Sequence, residues 1–330
     1  MDLSAKLKEQ VKADVVGSGE WLGFMGMGAV ELGTKFNFDE RRAPYPVDFP
    51  IKERSDLDKL ELPTEVTGYF KMHAELTLAA QKRFPDMMTI FAVNGPWDSA
   101  MLLRGDHNLP KDLRIHKDYY ETDDPKRREK IKKRGDPDLY PAIMEFCTQL
   151  SIRLCELAKA YGVGMMGCML FDQYSGEPVV SRSDYVKYIS PYVQRVWISQ
   201  KKRLMLTYSC TSPQRMKEII ESEPPGVENL LYFSNYVYHT TPEGITLPEY
   251  DRPALELAKK YKKSFTYWLH GKFLRDASEQ ELEDLLKRVL GNSVDMGVPM
   301  TLMLGSVPPG TDLEKVNYAF SMTEKYGRYK

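Results

Sequence analysis

The stretch Ser264–Gly271 reads Ser-Phe-Thr-Tyr-Trp-Leu-His-Gly, and its pattern decides the fold. A short, mostly apolar run typical of a buried strand ends in a polar and reactive side chain, His270, and a helical stretch follows. Six further runs repeat this order along the chain. They are Val15–Glu20, Met88–Pro96, Gly164–Ser175, Arg203–Cys210, Asn229–Asn235 and Pro299–Pro308. Strands that alternate with helices predict βα units and a parallel sheet.

The seven predicted strands indicate an α/β fold of the TIM (β/α)8 type. When βα units close into a barrel, the C-terminal ends of the strands face one mouth, where active sites are built from several strands. Seven strands are one fewer than a closed barrel needs, so we expect the first strand to be missing or modified. The exposed edge would be covered by a helix, a loop or a partner, and a second copy of the chain would make a homodimer.

Length and composition predict one domain. The 330 residues are 42% hydrophobic, enough for a sizeable core, and one α/β barrel commonly fills about 250 residues or more. No linker rich in proline, glycine or serine divides the chain. We therefore predict a single barrel domain over residues 1–330, with a loop-rich region at residues 17–63 near the mouth. Within that region we expect Arg42–Pro50, which contains several prolines, to be irregular surface chain.

Charge and cysteine content restrict the class of protein. A net charge of −1 argues against a dedicated nucleic-acid binder, and the lack of a long apolar span or signal peptide predicts no membrane association. The four cysteines form no Cys-x-x-Cys pair, which predicts a reduced, cytoplasmic protein. Cys147 and Cys155 lie eight residues apart on one helical face, so we expect both to pack in the core.

Residues 126–134 form the most basic segment, with seven lysines and arginines and one glutamate. A phosphate-binding patch is one interpretation. We favour a solvated helix, because acidic residues flank the segment on both sides. The histidines of the helical and charged segments, His73, His107 and His116, are likewise expected at the surface.

Several motifs, found in order along the chain, resemble the uroporphyrinogen decarboxylase superfamily. This superfamily includes the corrinoid-linked methyltransferases of anaerobic microbes. The motifs are Pro50–Leu60, Asn94–Trp97 with Ala100 and Leu103–Gly105, Phe171–Ser175 with Ser183-x-Tyr185 and Pro191-Tyr192, and Val307–Val316 with Lys325–Tyr329. Together they cover roughly residues 14–330. The resemblance implies a TIM barrel and an enzymatic site at its mouth.

Two departures from the family pattern bear on activity. The decarboxylases carry an arginine-rich loop after their first strand, whereas this sequence begins at what resembles the second strand. A pocket for several substrate carboxylates would then leave charge uncompensated, which argues against decarboxylation of the tetrapyrrole. Thiol-methylating members bind zinc through His-x-Cys and a later cysteine, and here Tyr208-x-Cys210 and Gly305-Ser306 stand at these positions. Activation of a thiol acceptor by that zinc site is therefore poorly supported.

The resemblance implies the substrate-demethylating component of a corrinoid-dependent methyltransferase system. Such an enzyme transfers a methyl group from a small methylated substrate, here an O-methyl compound, to the cobalt of cobalamin on a separate corrinoid protein. This chain has no Asp-x-His-x-x-Gly loop for binding cobalamin itself. In O-demethylation the departing oxygen needs a proton or a metal such as zinc. Two other interpretations stay open: a decarboxylase-like lyase, and a non-catalytic, tetrapyrrole-binding companion subunit.

The candidate site residues lie at or near the predicted strand ends. As catalytic residues we predict His239, His270, Asp172 and Tyr208. As substrate-binding residues we predict Glu20, Trp21, Asn94, Trp97, Gln173 and Ser306. If a metal is bound, its predicted ligands are Cys210, His239 and His270. The alternatives left open are structural: hydrogen-bonded histidines, an aspartate that caps a loop, and a cysteine in the core.

Overall fold

The computed structural model describes most of the chain. The described residues are 15–17, 28–39, 42–83, 85, 88–163, 168–171, 180–200, 205–210, 214, 217, 220–221, 230–235, 239–241, 244–246, 251–269, 271–304 and 310–328. The chain divides into two compact units, an N-terminal unit, Gly17–Leu204, and a C-terminal unit, Met205–Lys330 with Met1–Val16. The single barrel domain over residues 1–330 stays a prediction.

Strands occupy all seven of the apolar runs, as predicted. The strands of the described chain are β1 (Val15–Gly17), β2 (Lys35–Asp39), β3 (Arg42–Asp48), β4 (Met88–Asn94), β5 (Cys168–Phe171), β6 (Met205–Cys210), β7 (Leu230–Asn235), β8 (His239–Thr241), β9 (Gly244–Thr246), β10 (Phe265–Leu269) and β11 (Met300–Leu304). The runs contain β1, β4, β5, β6, β7, β10 and β11. The other four strands form two short hairpins, β2 with β3 and β8 with β9.

Helices lie between most of these strands. The described helices are α1 (Arg54–Leu57), α2 (Gly68–Arg83), α3 (Pro96–Arg104), α4 (Asn108–Tyr120), α5 (Pro125–Lys132), α6 (Leu139–Ala160), α7 (Arg182–Asp184), α8 (Ser190–Ser199), α9 (Asp251–Lys260), α10 (Gly271–Asp276), α11 (Glu279–Met296) and α12 (Leu313–Tyr326). No helix in this set combines the length and the apolar character that a membrane span requires.

The strands of the apolar runs pair in parallel within each unit, as the alternation with helices predicts. In the N-terminal unit β4 pairs with β5, and Asn94 lies opposite Phe171. In the C-terminal unit β7 lies between β6 and β10, and β11 pairs with the other side of β10. Parallel neighbours require a crossover connection, and helices α10 and α11 make the connection between β10 and β11. Closure of the strands into a barrel stays a prediction.

The expectation of irregular chain over Arg42–Pro50 is wrong, because Arg42–Asp48 forms strand β3. It pairs antiparallel with β2, and the side-chain amide of Asn37 donates a 2.8 Å hydrogen bond to the Tyr45 hydroxyl across the pair. Proline has no backbone N–H to donate, so within sheets it is confined to edge strands, strand starts and bulges. Both strands of a two-stranded hairpin are edges, which explains how a segment with prolines forms a strand here.

Helix α6 supplies much of the apolar core of the N-terminal unit. Its buried residues recur at helical spacing, and Cys147 and Cys155 are buried free thiols among them, as predicted. Helices α3 and α8 pack against α6. Trp97 of α3 is fully buried, and its ring centroid lies 6.4 Å from that of Tyr140 in α6. The position of the first turn of α3 is therefore fixed by contacts with the core.

The basic segment forms the exposed helix α5, in agreement with the solvated-helix interpretation. Asp124 caps this helix by accepting a 2.9 Å hydrogen bond from the Lys126 N–H, and Ile131 packs inward. The Arg128 guanidinium and the Lys132 ammonium both lie 5.5 Å from the ring centroid of Tyr119 in α4. Two of the basic side chains of α5 therefore make cation–π contacts with Tyr119.

A π-helical turn, Tyr185–Ile189, joins α7 to α8 in one continuous helical segment. The Ser190 N–H donates to the Tyr185 carbonyl, five residues earlier instead of the usual four. The Tyr140 hydroxyl of α6 donates a 2.8 Å hydrogen bond to the Tyr188 carbonyl. The wider turn is thus attached to α6 by a buried polar contact.

Glu283 of α11 connects the last two helices. Its carboxylate accepts hydrogen bonds from the Lys325 ammonium at 2.6 Å, the Tyr326 hydroxyl at 2.5 Å and the Tyr318 hydroxyl at 2.8 Å, all on α12. These donors, led by Lys325, lower the pKa of Glu283 to about 2. The carboxylate is therefore ionised at neutral pH and holds α12 against α11.

His73 is buried, so its prediction as a surface residue is wrong. It lies in α2, is 1% exposed, and its ring centroid is 4.7 Å from that of Phe91 in β4. Helix α2 packs against β4, which places this face of the helix in the core. Burial lowers the pKa of His73 to about 4, because the imidazolium would lose its hydration. His107 is exposed, as predicted, and His116 is half-buried.

We expect His73 to make the protein less stable in mildly acidic solution. The unfolded chain protonates this histidine below about pH 6.5, whereas the folded chain does so only near pH 4. The unfolded state therefore binds more protons in this window, and the free energy of unfolding should fall by about 3 kcal/mol from its upper to its lower limit. In the variant His73→Phe this loss should disappear. Urea unfolding of both proteins across the window measures it, and equal pH dependence in the two would contradict the prediction.

Candidate functional site

The parallel strands of the C-terminal unit bring their carboxyl ends to one edge of the sheet. Cys210 ends β6 and is paired with Ser234 of β7. Asn235 ends β7 and is paired with Trp268, one residue before the end of β10. The last residues of neighbouring parallel strands are therefore paired with a residue at, or one position before, the end of the next strand. This is the edge at which α/β enzymes place their functional groups.

Five predicted site residues lie in or near the strands of this unit along the sequence. Tyr208 and Cys210 lie in the last three residues of β6. His270 directly follows β10, and Ser306 comes two residues after the end of β11. His239 begins the hairpin strand β8, opposite Thr246 of β9. The backbone of the strand residues is described, whereas their side chains lie outside the described part.

The remaining predicted site residues are divided between described and undescribed segments. Asn94 and Trp97 are described in full. The residues that lie outside the described segments are Glu20, Trp21, Asp172, Gln173, His270 and Ser306. Their predicted roles, and those of Tyr208, Cys210 and His239, stay predictions.

Asn94 lies at the carboxyl end of β4, the position that its prediction as a substrate-binding residue requires. It is 3% exposed, and its side-chain Nδ2 has no hydrogen-bond partner in the described chain. The hydroxyl of Ser151 in α6 lies 2.9 Å from the carbonyls of both Asn94 and Cys147, so its proton is shared between these two acceptors. Asn94 is opposite Phe171, the last residue of β5, and Asp172 follows in the sequence. The backbone of this strand end thus has a polar contact with α6, while the Asn94 Nδ2 has no hydrogen-bond partner in the described chain.

Helix α3 begins directly after β4 and buries its whole first turn. Gly95 is the N-cap and offers no capping side chain, and Pro96 occupies the first helical position. Trp97, Asp98 and Ser99 follow and are all buried. A carboxylate in the first turn interacts favourably with the helix dipole, which helps to explain how Asp98 is tolerated inside the unit.

Sequence reasoning missed Asp98 and Ser99 as candidate site residues. Both are buried, and the Ser99 Oγ has no hydrogen-bond partner among the residues that the structure describes. The available signal was a polar pair immediately after Pro96-Trp97, in a stretch that is otherwise apolar as far as Leu103. The unpaired Ser99 hydroxyl at the start of a buried helix needs an explanation, and a ligand is one.

The side chains that the structure describes contain no metal centre. Nowhere among them do three or more Asp, Glu, His or Cys residues group closely enough to hold a metal ion. The predicted ligands Cys210, His239 and His270 do not belong to that set of side chains. A thiolate and two imidazoles are ligands that zinc prefers, so the predicted donor set suits zinc by its chemistry.

Comparison with protein families identifies the relatives of this chain. The profile of the family described as uroporphyrinogen decarboxylase (URO-D) matches residues 25–326. The chain belongs to this family. The resemblance drawn from the sequence motifs is thereby confirmed. Uroporphyrinogen decarboxylases have a TIM-barrel fold, so the predicted fold class is confirmed at this level, and a modified first strand stays a prediction.

A solved structure shares the fold of this uroporphyrinogen decarboxylase family member. The structure of a methyltransferase from Methanosarcina mazei superposes with a TM-score of 0.69 and 15% sequence identity, covering 99% of this chain and 84% of that chain. At this identity the likeness shows the fold alone. Comparison with curated proteins gives no match. Family membership supports an enzyme of the decarboxylase-like or methyltransferase type.

Proposed function

We propose that this chain is the methyltransferase component of a corrinoid-dependent demethylating system. It would take a methyl group from a small O-methyl substrate and deliver it to the cobalt of cobalamin carried by a separate corrinoid protein. The observation that carries the proposal is that β6, β7, β10 and β11 end at a common edge. In the sequence, Tyr208, Cys210, His270 and Ser306 lie in β6, β10 or β11 or within two residues of their ends. The fold shared with the methyltransferase from Methanosarcina mazei supports the same conclusion.

The chemistry needs a proton donor more than it needs a nucleophile. Cobalt(I) supplies both electrons of the new cobalt–carbon bond and becomes methyl-cobalt(III). The carbon–oxygen bond of the substrate breaks, and the oxygen leaves with that electron pair and takes up one proton. A histidine or tyrosine at the strand ends can supply this proton, and we assign the role first to His270, with His239 and Tyr208 as the alternatives.

A zinc ion is compatible with this chemistry, although the proposal does not depend on it. Cys210, His239 and His270 would hold the ion, and it would act by stabilising the negative charge on the departing oxygen. Tyr208 would then be left to donate a hydrogen bond to the substrate. Metal analysis of the purified protein distinguishes a site that holds zinc from a site in which a side chain alone donates the proton.

A methyl-transfer assay with the full chain tests the proposed function. The acceptors are a reduced corrinoid protein from the gene neighbourhood and free cob(I)alamin, and the donors are methyl ethers, methylamines and methyl thioethers. We expect the absorbance spectrum of cobalt(I) to change to that of methyl-cobalt(III) with an O-methyl donor. If no donor methylates either acceptor, the proposal fails. Release of carbon dioxide from a carboxylated compound would instead indicate a lyase, and tetrapyrrole binding without turnover would indicate a companion subunit.

A further inference from the structure

Helices α3, α4 and α5 and the first half of α6 stand beyond the carboxyl end of strand β4. Residues 95–138 connect the end of β4 to the start of α6. Helix α6 then leads back to the start of β5, so it runs antiparallel to these two parallel strands. The Ser151 hydroxyl of α6 lies 2.9 Å from the carbonyl of Asn94, the last residue of β4. Residues 139–150 therefore extend about 18 Å past the strand end.

Aromatic and polar contacts hold the shorter helices around this projecting half of α6. The ring centroid of Tyr140 in α6 lies 6.4 Å from that of Trp97 in α3 and 5.7 Å from that of His116 in α4. The His116 Nδ1 donates a 2.8 Å hydrogen bond to the carbonyl of Pro137, just before α6. Helix α5 packs in turn against α4. We call α3, α4, α5 and residues 139–150 the helical platform, and these contacts attach it to the end of β4.

Helix α5 carries three exposed lysines on the side turned away from its buried residue, Ile131. Lys126, Lys130 and Lys133 follow one another at helical spacing, and we call them the lysine face. Glu129 lies on the same side of the helix. Neither Glu129 nor any other carboxylate of the described chain lies within ion-pair distance of the three ammonium groups. Their charge is thus compensated only by solvent and ions, and it is available to a partner of opposite charge.

The limited extent of the lysine face restricts what can bind it. Helix α5 has eight residues and is about 12 Å long. Exposed carboxylates flank it at both ends, those of Asp123 and Asp124 before it and those of Asp136 and Asp138 after it. A nucleic acid or an anionic membrane extends much further and would be repelled by these carboxylates, whereas an acidic patch on a protein fits between them. The matching partner is therefore a protein with a compact acidic patch.

We propose that the lysine face of α5 docks an acidic surface patch of the corrinoid protein. This inference rests on the proposed function and adds the surface by which the partner is recognised. Enzymes built on parallel strands carry out their chemistry at the carboxyl ends of those strands, and the helical platform stands beyond such an end. The lysines attract and orient the partner protein and take no part in the chemistry. Complementary charge of this kind raises the rate of association and selects the partner.

The double variant Lys126→Glu with Lys130→Glu tests the docking surface against a matched control, Lys82→Glu with Lys159→Glu. The control lysines are exposed, have no ion-pair partner in the described chain, and lie in the last turns of α2 and α6, which lead to the amino ends of β4 and β5. Both variants change the net charge equally. The test variant should raise KM for the corrinoid protein about tenfold at low ionic strength, and the control should not.

Two further measurements accompany this comparison. Salt screens charges at the surface, so the difference in KM between the two double variants should shrink as sodium chloride is added. Free cob(I)alamin offers no acidic protein patch, so with this acceptor the two double variants should have equal kcat/KM. If the glutamates lower the melting temperature, Lys126→Gln with Lys130→Gln takes their place, and we then expect KM to rise about threefold.

The outcomes separate the docking surface from the proposed function. If the parent methylates the corrinoid protein and both double variants have the same KM for it, the docking surface is wrong and the function stands. If the parent methylates neither acceptor, the function fails, and titration calorimetry with the corrinoid protein judges the docking surface. Weaker binding by the test variant alone supports it, and equal binding or none overturns it. Binding to RNA or phosphatidylserine vesicles that the test variant loses, with KM for the corrinoid protein unchanged, would also overturn it.

Discussion

Replacing Arg104 with methionine is expected to lower the free energy of unfolding by about 3–5 kcal/mol. Arg104 ends α3, and its guanidinium forms a two-pronged ion pair with Asp112 of α4, with Nε to Oδ2 at 2.7 Å and Nη2 to Oδ1 at 3.3 Å. The side chains are only 13% and 6% exposed. The same guanidinium donates to the carbonyls of Ile51 and Lys52. The variant would leave the Asp112 carboxylate buried without its partner and release the segment before α1.

A matched ion pair on the surface of the same unit provides the control. Arg195 and Glu145 also form a two-pronged pair, with Nη1 to Oε2 at 2.5 Å and Nη2 to Oε1 at 2.8 Å. Their side chains are 44% and 48% exposed, so water replaces the lost contact, and Arg195→Met should cost at most about 1 kcal/mol. Urea unfolding of the three proteins at neutral pH measures both values. Equal losses in the two variants would show that burial does not set the strength of the Arg104 pair.

Replacing His270 with glutamine is expected to lower kcat for O-demethylation about 10²–10⁴-fold, the contribution typical of a general acid. The residue directly follows β10, and an amide can keep a hydrogen bond but cannot give a proton to the departing oxygen. The loss should be greatest for methyl ethers with strongly basic leaving groups and smallest for phenyl ethers with acidic leaving groups. KM should change little, because substrate binding depends on other residues.

His107→Gln is the control for the His270 variant. The His107 side chain is 96% exposed, and its imidazole lies 3.8 Å from the neighbouring Asp106 carboxylate. Its replacement should leave both kcat and stability unchanged. Stopped-flow measurement of methyl-cobalt formation, with folding verified by circular dichroism, compares the two variants. Unchanged turnover in His270→Gln would assign the proton transfer elsewhere, with His239 and Asp172 next to be replaced.

The strand pattern could be predicted from the sequence because short apolar runs bounded by polar residues are a local signal. In the run Phe265–Leu269, the described side chains Phe265, Thr266, Tyr267 and Leu269 are all buried, as in a strand covered on both faces. The hairpin strand Arg42–Asp48 gave no such signal, since its prolines suit an edge strand but count against a strand in general. Burial of His73 could not be read locally either, because it depends on the packing of α2 against β4.

Only those candidate site residues that stand at the ends of predicted strands could be selected from the sequence. Asn94 was found because it is a polar residue at the end of a predicted strand, and the same reasoning selected His270 and Asp172. Ser99 was missed because unpaired hydrogen-bonding groups are a property of the packed structure and leave no trace in residue spacing. The donor set for a metal was predicted from residue types alone, and its geometry depends on side chains outside the described part of the chain.

The π-helical turn Tyr185–Ile189 allows the length of this segment to change by one residue during evolution. Helix α8 buries Val193, Val196 and Trp197 on one face. The wide turn places five residues in the rotation that four residues make in an ordinary helix, since the Ser190 N–H bonds the Tyr185 carbonyl. Deleting one residue in the turn would therefore restore an ordinary helix and leave this apolar stripe facing the core. Relatives that lack the extra residue should carry the same stripe on a helix without the wide turn.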